Sequence, residues 1–297
     1  MSPGVARRRA AVFVGTAVVM IAAVAIVLTM LVNGAGTAAV PSAVGARAEA
    51  LAAKPIQPLS AARIRALSEA KYDAVIPGLV AYRASRVPAA ATRAYSLRAD
   101  AALYDAVNGR PVARFAARNF LGEPTVVVPV EFDGRWALVL TPSRNSLPSD
   151  TEGSAPAQTA AWIARSDLIP RTVLRDRIVI SVSKQQLSVV GSSGTIAAHY
   201  AIGVGAARTP TPTGVVGYLQ SRYLDPSQGQ ADYPIELTSL HATASDEPYE
   251  GHDGGLIGMH HHSDTHGAVS RGCLRLPGAA LDTIAKLPLG TPVLMTS

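Results

Sequence analysis

The longest uncharged apolar run is Ala10–Val32, 23 residues from AAVFVG to LTMLV. At a helical rise of about 1.5 Å per residue it reaches about 34 Å, enough for a hydrocarbon core of about 30 Å. Arg7, Arg8 and Arg9 precede it. The pattern therefore predicts a transmembrane helix over 10–32, a cytoplasmic tail at 1–9 and an exported remainder. A cleaved signal peptide is the alternative. Its apolar stretch ordinarily runs about 7–15 residues, shorter than this one, although the small residues Gly34 to Ala38 would suit cleavage. Residues 33–92 are rich in Ala, Pro and Ser and read as a stalk. One short helix stands out there, with Ser60 as its cap and Ile64, Leu67 and Tyr72 near a helical period. From 93 to 170 the pattern turns to short strands: RAYSLRADAALYDA, PVARFA, PTVVVPVEF and RWALVLTP. Turn signals at Asn108-Gly109, Gly122-Glu123-Pro124 and Asp133-Gly134 separate them. A polar loop, Ser143–Ala161, interrupts this module. From Arg177 alternation is strong: RIVISVSKQQLSVV, a Gly191–Gly194 turn, then TIAAHYAIGVG. Thr209-Pro210-Thr211-Pro212-Thr213-Gly214 follows. Two prolines so close together cannot sit in a central strand, so they form a stiff loop.

Composition sharpens this picture. Apolar residues make up 48% and charged residues 16%, which suits a packed core rather than a disordered chain. The single cysteine rules out an intrachain disulfide and any multi-cysteine metal site. Net charge is +6, but residues 175–297 carry eight Lys and Arg against ten Asp and Glu. That balance speaks against a nucleic-acid groove in the last third.

The densest chemistry lies at 256–276, LIGMHHHSDTHGAVSRGCLRL, which holds Cys273. A lone exported thiol is a buried small hydrophobe, an intermolecular cross-link or a nucleophile. Its neighbours favour the nucleophile. Arg271 and Arg275 flank it at two residues and would favour the thiolate, and Gly272 would let a backbone N–H approach a ligand. His260 ends the apolar strand LIGM, 13 residues upstream. Strand alternation should turn it away from Met259 and toward the site as base. His261 or His262 takes that role if the register differs by one or two residues.

Residues 177–297 resemble the L,D-transpeptidase catalytic domain (YkuD-like). The likeness rests on an opening strand at Arg177–Val190, on Thr211-Pro212-Thr213-Gly214, on Gly258-Met259-His260 and on Ser270-Arg271-Gly272-Cys273-Leu274-Arg275. Arg271 stands where that family most often has histidine. A looser likeness to a bacterial SH3-like module covers 93–170, with Trp136 and Trp162 expected in its core. The expected fold is mainly β: an N-terminal transmembrane helix, an SH3-like small β-barrel, then a β-sandwich at 175–297 with a few short helices such as Pro277–Lys286.

The resemblance implies peptidoglycan stem peptides as substrate and carbapenems as inhibitors. It implies a Cys273 thioester, His260 as base, and 3→3 cross-links made through a second stem's amine. Backbone N–H groups of Gly272 and Cys273 would hold the oxyanion, and the backbone of His261 would orient the base. Arg275 would bind a substrate carboxylate or steady the loop, with Ser270, Arg271 and His261 around the substrate. No cofactor, metal or nucleic acid is implied. Three rivals remain open: zinc held by His260, His261, His262, His266 and Asp264; a non-catalytic wall-binding protein; and a hydrolase using the same nucleophile.

Overall fold

The computed structural model describes residues 58–152, 155–245 and 254–297. The anchor expected over 10–32 and the stalk before residue 58 lie outside the described residues. Among those described, no helix is long and apolar enough to cross a membrane.

The first described element is the short helix α1 (Ala61–Arg65). Its Ser60 cap accepts a hydrogen bond from the Arg63 N–H at 3.3 Å. The helix ends well before Tyr72. The stalk reading also stops short of residue 92. Ala70, Ile76 and Leu79 are buried with Leu103, Phe115 and Val139 in one core, because enough apolar positions lie between the prolines to pack.

Eight strands build the upstream module: β1 (Val80–Ala81), β2 (Arg93–Leu97), β3 (Ala101–Tyr104), β4 (Pro111–Phe115), β5 (Pro129–Asp133), β6 (Trp136–Thr141), β7 (Thr159–Ala164) and β8 (Leu168–Val173). The main sheet runs β4-β3-β7-β6-β5 with β1 on β7, and β2 pairs with β8. At the two hairpin signals one residue of each pair takes positive φ, Asn108 at 56° and Gly134 at 52°. Gly134 makes a tight turn between Asp133 and Trp136, whereas Asn108 lies in a longer connection between Tyr104 and Pro111. Trp136 is buried edge-on to Tyr104 at 5.0 Å, and Trp162 packs against the same cluster.

Ten strands follow: β9 (Asp176–Ser181), β10 (Gln186–Gly191), β11 (Ile196–Ala201), β12 (Val204–Gly205), β13 (Val215–Asp225), β14 (Gln230–His241), β15 (Leu256–His261), β16 (Ala268–Ser270), β17 (Leu274–Leu276) and β18 (Pro292–Thr296). The opening strand expected as one piece is two. It turns back at Gln185, whose φ is 50°, and Ser181 Oγ accepts from the Lys184 N–H. The buried positions switch from even (Ile178, Ile180) to odd (Leu187, Val189) across the polar run Lys184-Gln185-Gln186, a break in alternation that the one-strand reading passes over. The sheet order is β11-β10-β9-β18-β13-β14-β15-β17. β13 belongs to two layers. Val215–Tyr218 pair with β18, and Leu219–Asp225 pair with β14. A strand that changes partners in this way lets two sheet halves enclose one core. Ile178, Leu187, Met259 and Leu274 meet there. Helix α2 (Gly278–Ile284) adds Leu281 and Ile284, both fully buried. Each such side chain contributes about 1.5–3 kcal/mol.

The two sheet systems are joined by buried groups. Tyr218 of β13 sits among Val128, Val130 and Leu140 of the upstream module, and its hydroxyl donates to the Val126 carbonyl at 3.3 Å. Ser239 Oγ donates to Gln158 Oε1 at 2.6 Å. Arg144, 5% exposed, donates to the Ala242 carbonyl at 2.9 Å and to that of Gly254. The segment read as a polar loop is therefore an interface. Its polar residues Ser143, Arg144 and Gln158 are buried because carbonyls and hydroxyls wait opposite them.

Candidate active site

β15 and β17 are parallel neighbours, with Met259 opposite Leu274 and His260 opposite Arg275. Cys273 immediately precedes β17, so it lies beside Gly258. The Gly258 N–H donates to Cys273 Sγ at 3.4 Å. Met259 points into the core, fully buried, while His260 faces the other way, as alternation requires. Cys273 and His260 line one cleft of about 610 Å³. Its walls also include Ile235, Leu237, Leu256 and Gln230.

Two shells hold this pair. The first fixes the histidine. Nδ1 of His260 lies 3.1 Å from the His261 carbonyl oxygen. With Nδ1–H donating there, Nε2 keeps its lone pair. His261 is in turn gripped by Gln230, which accepts from its N–H at 3.1 Å and donates to its carbonyl at 3.2 Å. The His261 ring stacks on Tyr233 at 4.7 Å, so this side chain is occupied with packing.

A second set of contacts fixes the turn that carries Cys273. Thr211 Oγ1 donates to the Gly272 carbonyl at 2.8 Å and accepts from the Gly205 N–H at 2.9 Å. Thr209 Oγ1 donates to the Ser270 carbonyl at 3.0 Å. Gly205 is required here: a Cβ on it would stand 2.2 Å from the Thr209 carbonyl oxygen. Ser270 is 4% exposed. Its hydroxyl donates to the Cys273 carbonyl at 2.5 Å and accepts from the Gly272 N–H at 3.2 Å. Ser270 therefore braces the turn. The same bond occupies the Gly272 N–H. What Gly272 supplies is a φ of 105°, which L side chains rarely adopt.

The electrostatics differ from the sequence expectation. Burial pushes the Cys273 thiol above its ordinary value, with only the Gly258 N–H acting in the other direction. The flanking arginines do not lower it. Arg271 is exposed on the turn, and Arg275 is paired with Asp264 at 3.7 Å. Burial also holds His260 below its ordinary value; the His261 carbonyl opposes this, and His262 and Arg275 reinforce it. The resting pair is thus a neutral thiol and a neutral imidazole. His262 Nδ1 accepts from the Asp264 N–H at 2.9 Å, and His266 is exposed. The stretch carrying them is strand and loop, and among the described residues no three His, Cys, Asp or Glu side chains converge as a metal site.

Sequence reasoning flagged Cys273, His260 and the Thr-Pro loop. It missed Gln230, and it missed Tyr72, Phe120 and Tyr223 on the cleft wall. Gln230 and Tyr223 lie on a plain strand hairpin, and Tyr72 and Phe120 lie in the upstream module. No local signal marked any of them.

A half-buried thiol and an oriented imidazole thus face one cleft from adjoining strands. Residues 175–295 match the family model described as YkuD, the L,D-transpeptidase catalytic domain. Among solved structures, the chain is similar to a mutant L,D-transpeptidase from Enterococcus faecium (22% identity, TM-score 0.28, covering 42% of this chain and 54% of that one). It is similar also to L,D-transpeptidase 1 from Mycobacterium tuberculosis (14% identity, TM-score 0.30, 47% and 78%). A third is the carbamoyl enzyme formed by Ldtfm with avibactam (20% identity, TM-score 0.29, 42% and 50%). The first and third matches span about half the length of those chains. No curated protein matches.

Proposed function

We propose that this chain is a cysteine-dependent L,D-transpeptidase that forms 3→3 cross-links in peptidoglycan outside the cytoplasmic membrane, held there by residues 10–32. The observation that carries the reading is the placement of Cys273 and His260 on one cleft, with His260 Nδ1 anchored on the His261 carbonyl. The neutral imidazole takes the thiol proton through Nε2 as sulfur attacks the carbonyl of a donor stem. Deprotonation coupled to attack suits a thiol whose burial disfavours a free thiolate. The tetrahedral oxyanion meets the Cys273 N–H. The imidazolium then protonates the leaving D-Ala nitrogen as the C–N bond breaks, which leaves a thioester on Cys273. In the second half, His260 removes a proton from the acceptor amine. Nitrogen attacks the thioester, the C–S bond breaks, and the thiol is restored. The donor amide's energy is conserved in the thioester, so no cofactor enters. Carbapenems would acylate the same sulfur.

Intact-protein mass spectrometry tests the assignment. A carbapenem or donor stem should add one adduct to the unaltered chain and none to Cys273→Ala. A full adduct on that variant overturns it. Incubation with and without an acceptor stem then separates transfer from hydrolysis.

A further inference from the structure

The cleft at Cys273 is not built by the catalytic domain alone. Tyr72 and Phe120, both from the upstream module, line it together with Tyr223 and Asp225 of β13. The three rings form an edge-to-face chain, with Tyr72 to Phe120 at 5.0 Å and Phe120 to Tyr223 at 5.9 Å. Tyr72 is 40% exposed and Phe120 44%. Aromatic rings left open on a cleft wall mark a contact surface. Burial first, then the Asp225 charge, hold the Tyr223 hydroxyl above its ordinary value and so keep it a neutral ring. Asp225 is held as an anion by Ser227 and by Gln228 Nε2, the latter at 2.6 Å. Among the described lining residues it is the one carboxylate, and none is Lys or Arg.

We propose that Tyr72, Phe120, Tyr223 and Asp225 form the acceptor side of the cleft and receive an ammonium group carried on a short alkyl chain, so that the upstream module takes part in choosing the acceptor. This deepens the transpeptidase reading and rests on it. Aromatic faces attract cations, and the attraction grows where water is partly excluded. Phe120 supplies an apolar surface for the methylenes. Asp225 supplies the fixed negative charge that draws the ammonium in before it gives up its proton. An anionic or purely apolar ligand would gain nothing from that carboxylate.

The experiment uses the full chain and a donor stem whose own side-chain amine is acetylated, so that it can acylate Cys273 but cannot be an acceptor. Mass spectrometry follows acyl-enzyme formation. It then follows the partition between cross-link and hydrolysis as an amine-bearing stem is added. Asp225→Asn and the double variant Tyr72→Ala/Phe120→Ala should each raise the acceptor concentration for half-maximal capture at least tenfold more than they slow acylation. Capture by hydroxylamine, which is uncharged at neutral pH, should change less than twofold in Asp225→Asn. The proposal is overturned if capture matches that of the unaltered chain, if acylation and capture fall together, or if hydroxylamine capture falls as far as amine capture. Failure of the transpeptidase reading shows itself separately, as absence of any acyl-enzyme in the unaltered chain.

Discussion

His241 offers a quantitative check on the interface that positions the cleft. It ends β14, is 1% exposed, and sits 2.9 Å through Nε2 from the Pro142 carbonyl. Nδ1 is buried without a hydrogen-bond partner, and the Arg144 cation is close enough to be felt. Burial first, then Arg144, push its pKa down to about 3, against partial support from the Pro142 carbonyl. The unfolded chain takes up this proton near pH 6.5, whereas the folded chain does not until about pH 3. Below pH 6.5 the unfolded state therefore binds more protons, and stability falls as pH falls. At 1.36 kcal/mol per pH unit the loss attributable to this ring is about 2 kcal/mol at pH 5, approaching a ceiling of about 5 kcal/mol near pH 3. Typical domains hold about 5–15 kcal/mol in all, so the effect is large. The comparison is His241→Gln, whose amide can still donate to Pro142 but does not titrate. Urea unfolding of residues 53–297 at pH 7.5 and 5.0 gives both differences. His241→Gln carries some constant cost at either pH. The unaltered protein should lose about 2 kcal/mol more than the variant on going to pH 5. Parallel losses in the two proteins would refute the argument that His241 is held neutral by its surroundings.

Other expectations concern Cys273 and His260 in their proposed roles. His260 is held low partly by Arg275, so the acid limb of Cys273 acylation against pH should lie below 6.5. Arg275→Gln should move that limb toward higher pH, as read from stopped acylation time courses. Gln230→Ala frees both backbone groups of His261 and should slow acylation by about tenfold, in the range for a misplaced general base. Circular dichroism should show its fold retained. Thr211→Val keeps the side-chain volume but leaves the Gly272 carbonyl and Gly205 N–H without their partner. It should cost about 1–3 kcal/mol in urea unfolding, with Thr211→Ser recovering most of it.

The sequence revealed the parts of this molecule that depend on local rules. Alternation located the strands around His260, positive-φ turn residues placed the turns at Asn108 and Gly134, and the lone Cys273 with its glycine marked a turn that lines the cleft. It misplaced features that depend on what lies opposite in space. Ser143, Arg144 and Gln158 look like a solvent loop until the carbonyls of Ala242 and Gly254 and the Ser239 hydroxyl are seen to meet them. The thiol's environment was misjudged for the same reason. Sequence proximity put two arginines beside Cys273, but exposure of Arg271 and the Arg275–Asp264 pair leave burial in control. Gln230 was invisible, because a glutamine on a strand carries no pattern until its partner strand is known.

Tyr218 has one further consequence. It grows from the strand that joins both layers of the catalytic sheet, yet its ring completes the interior of the neighbouring module. Neither half can be exchanged for a foreign one unless the newcomer brings a tyrosine-shaped socket, or a tyrosine, of its own. Swapping or excising the N-terminal half would expose an apolar hole on one side and a stranded aromatic on the other. The two halves are therefore bound to change together in evolution, and chimaeras joined between them should aggregate.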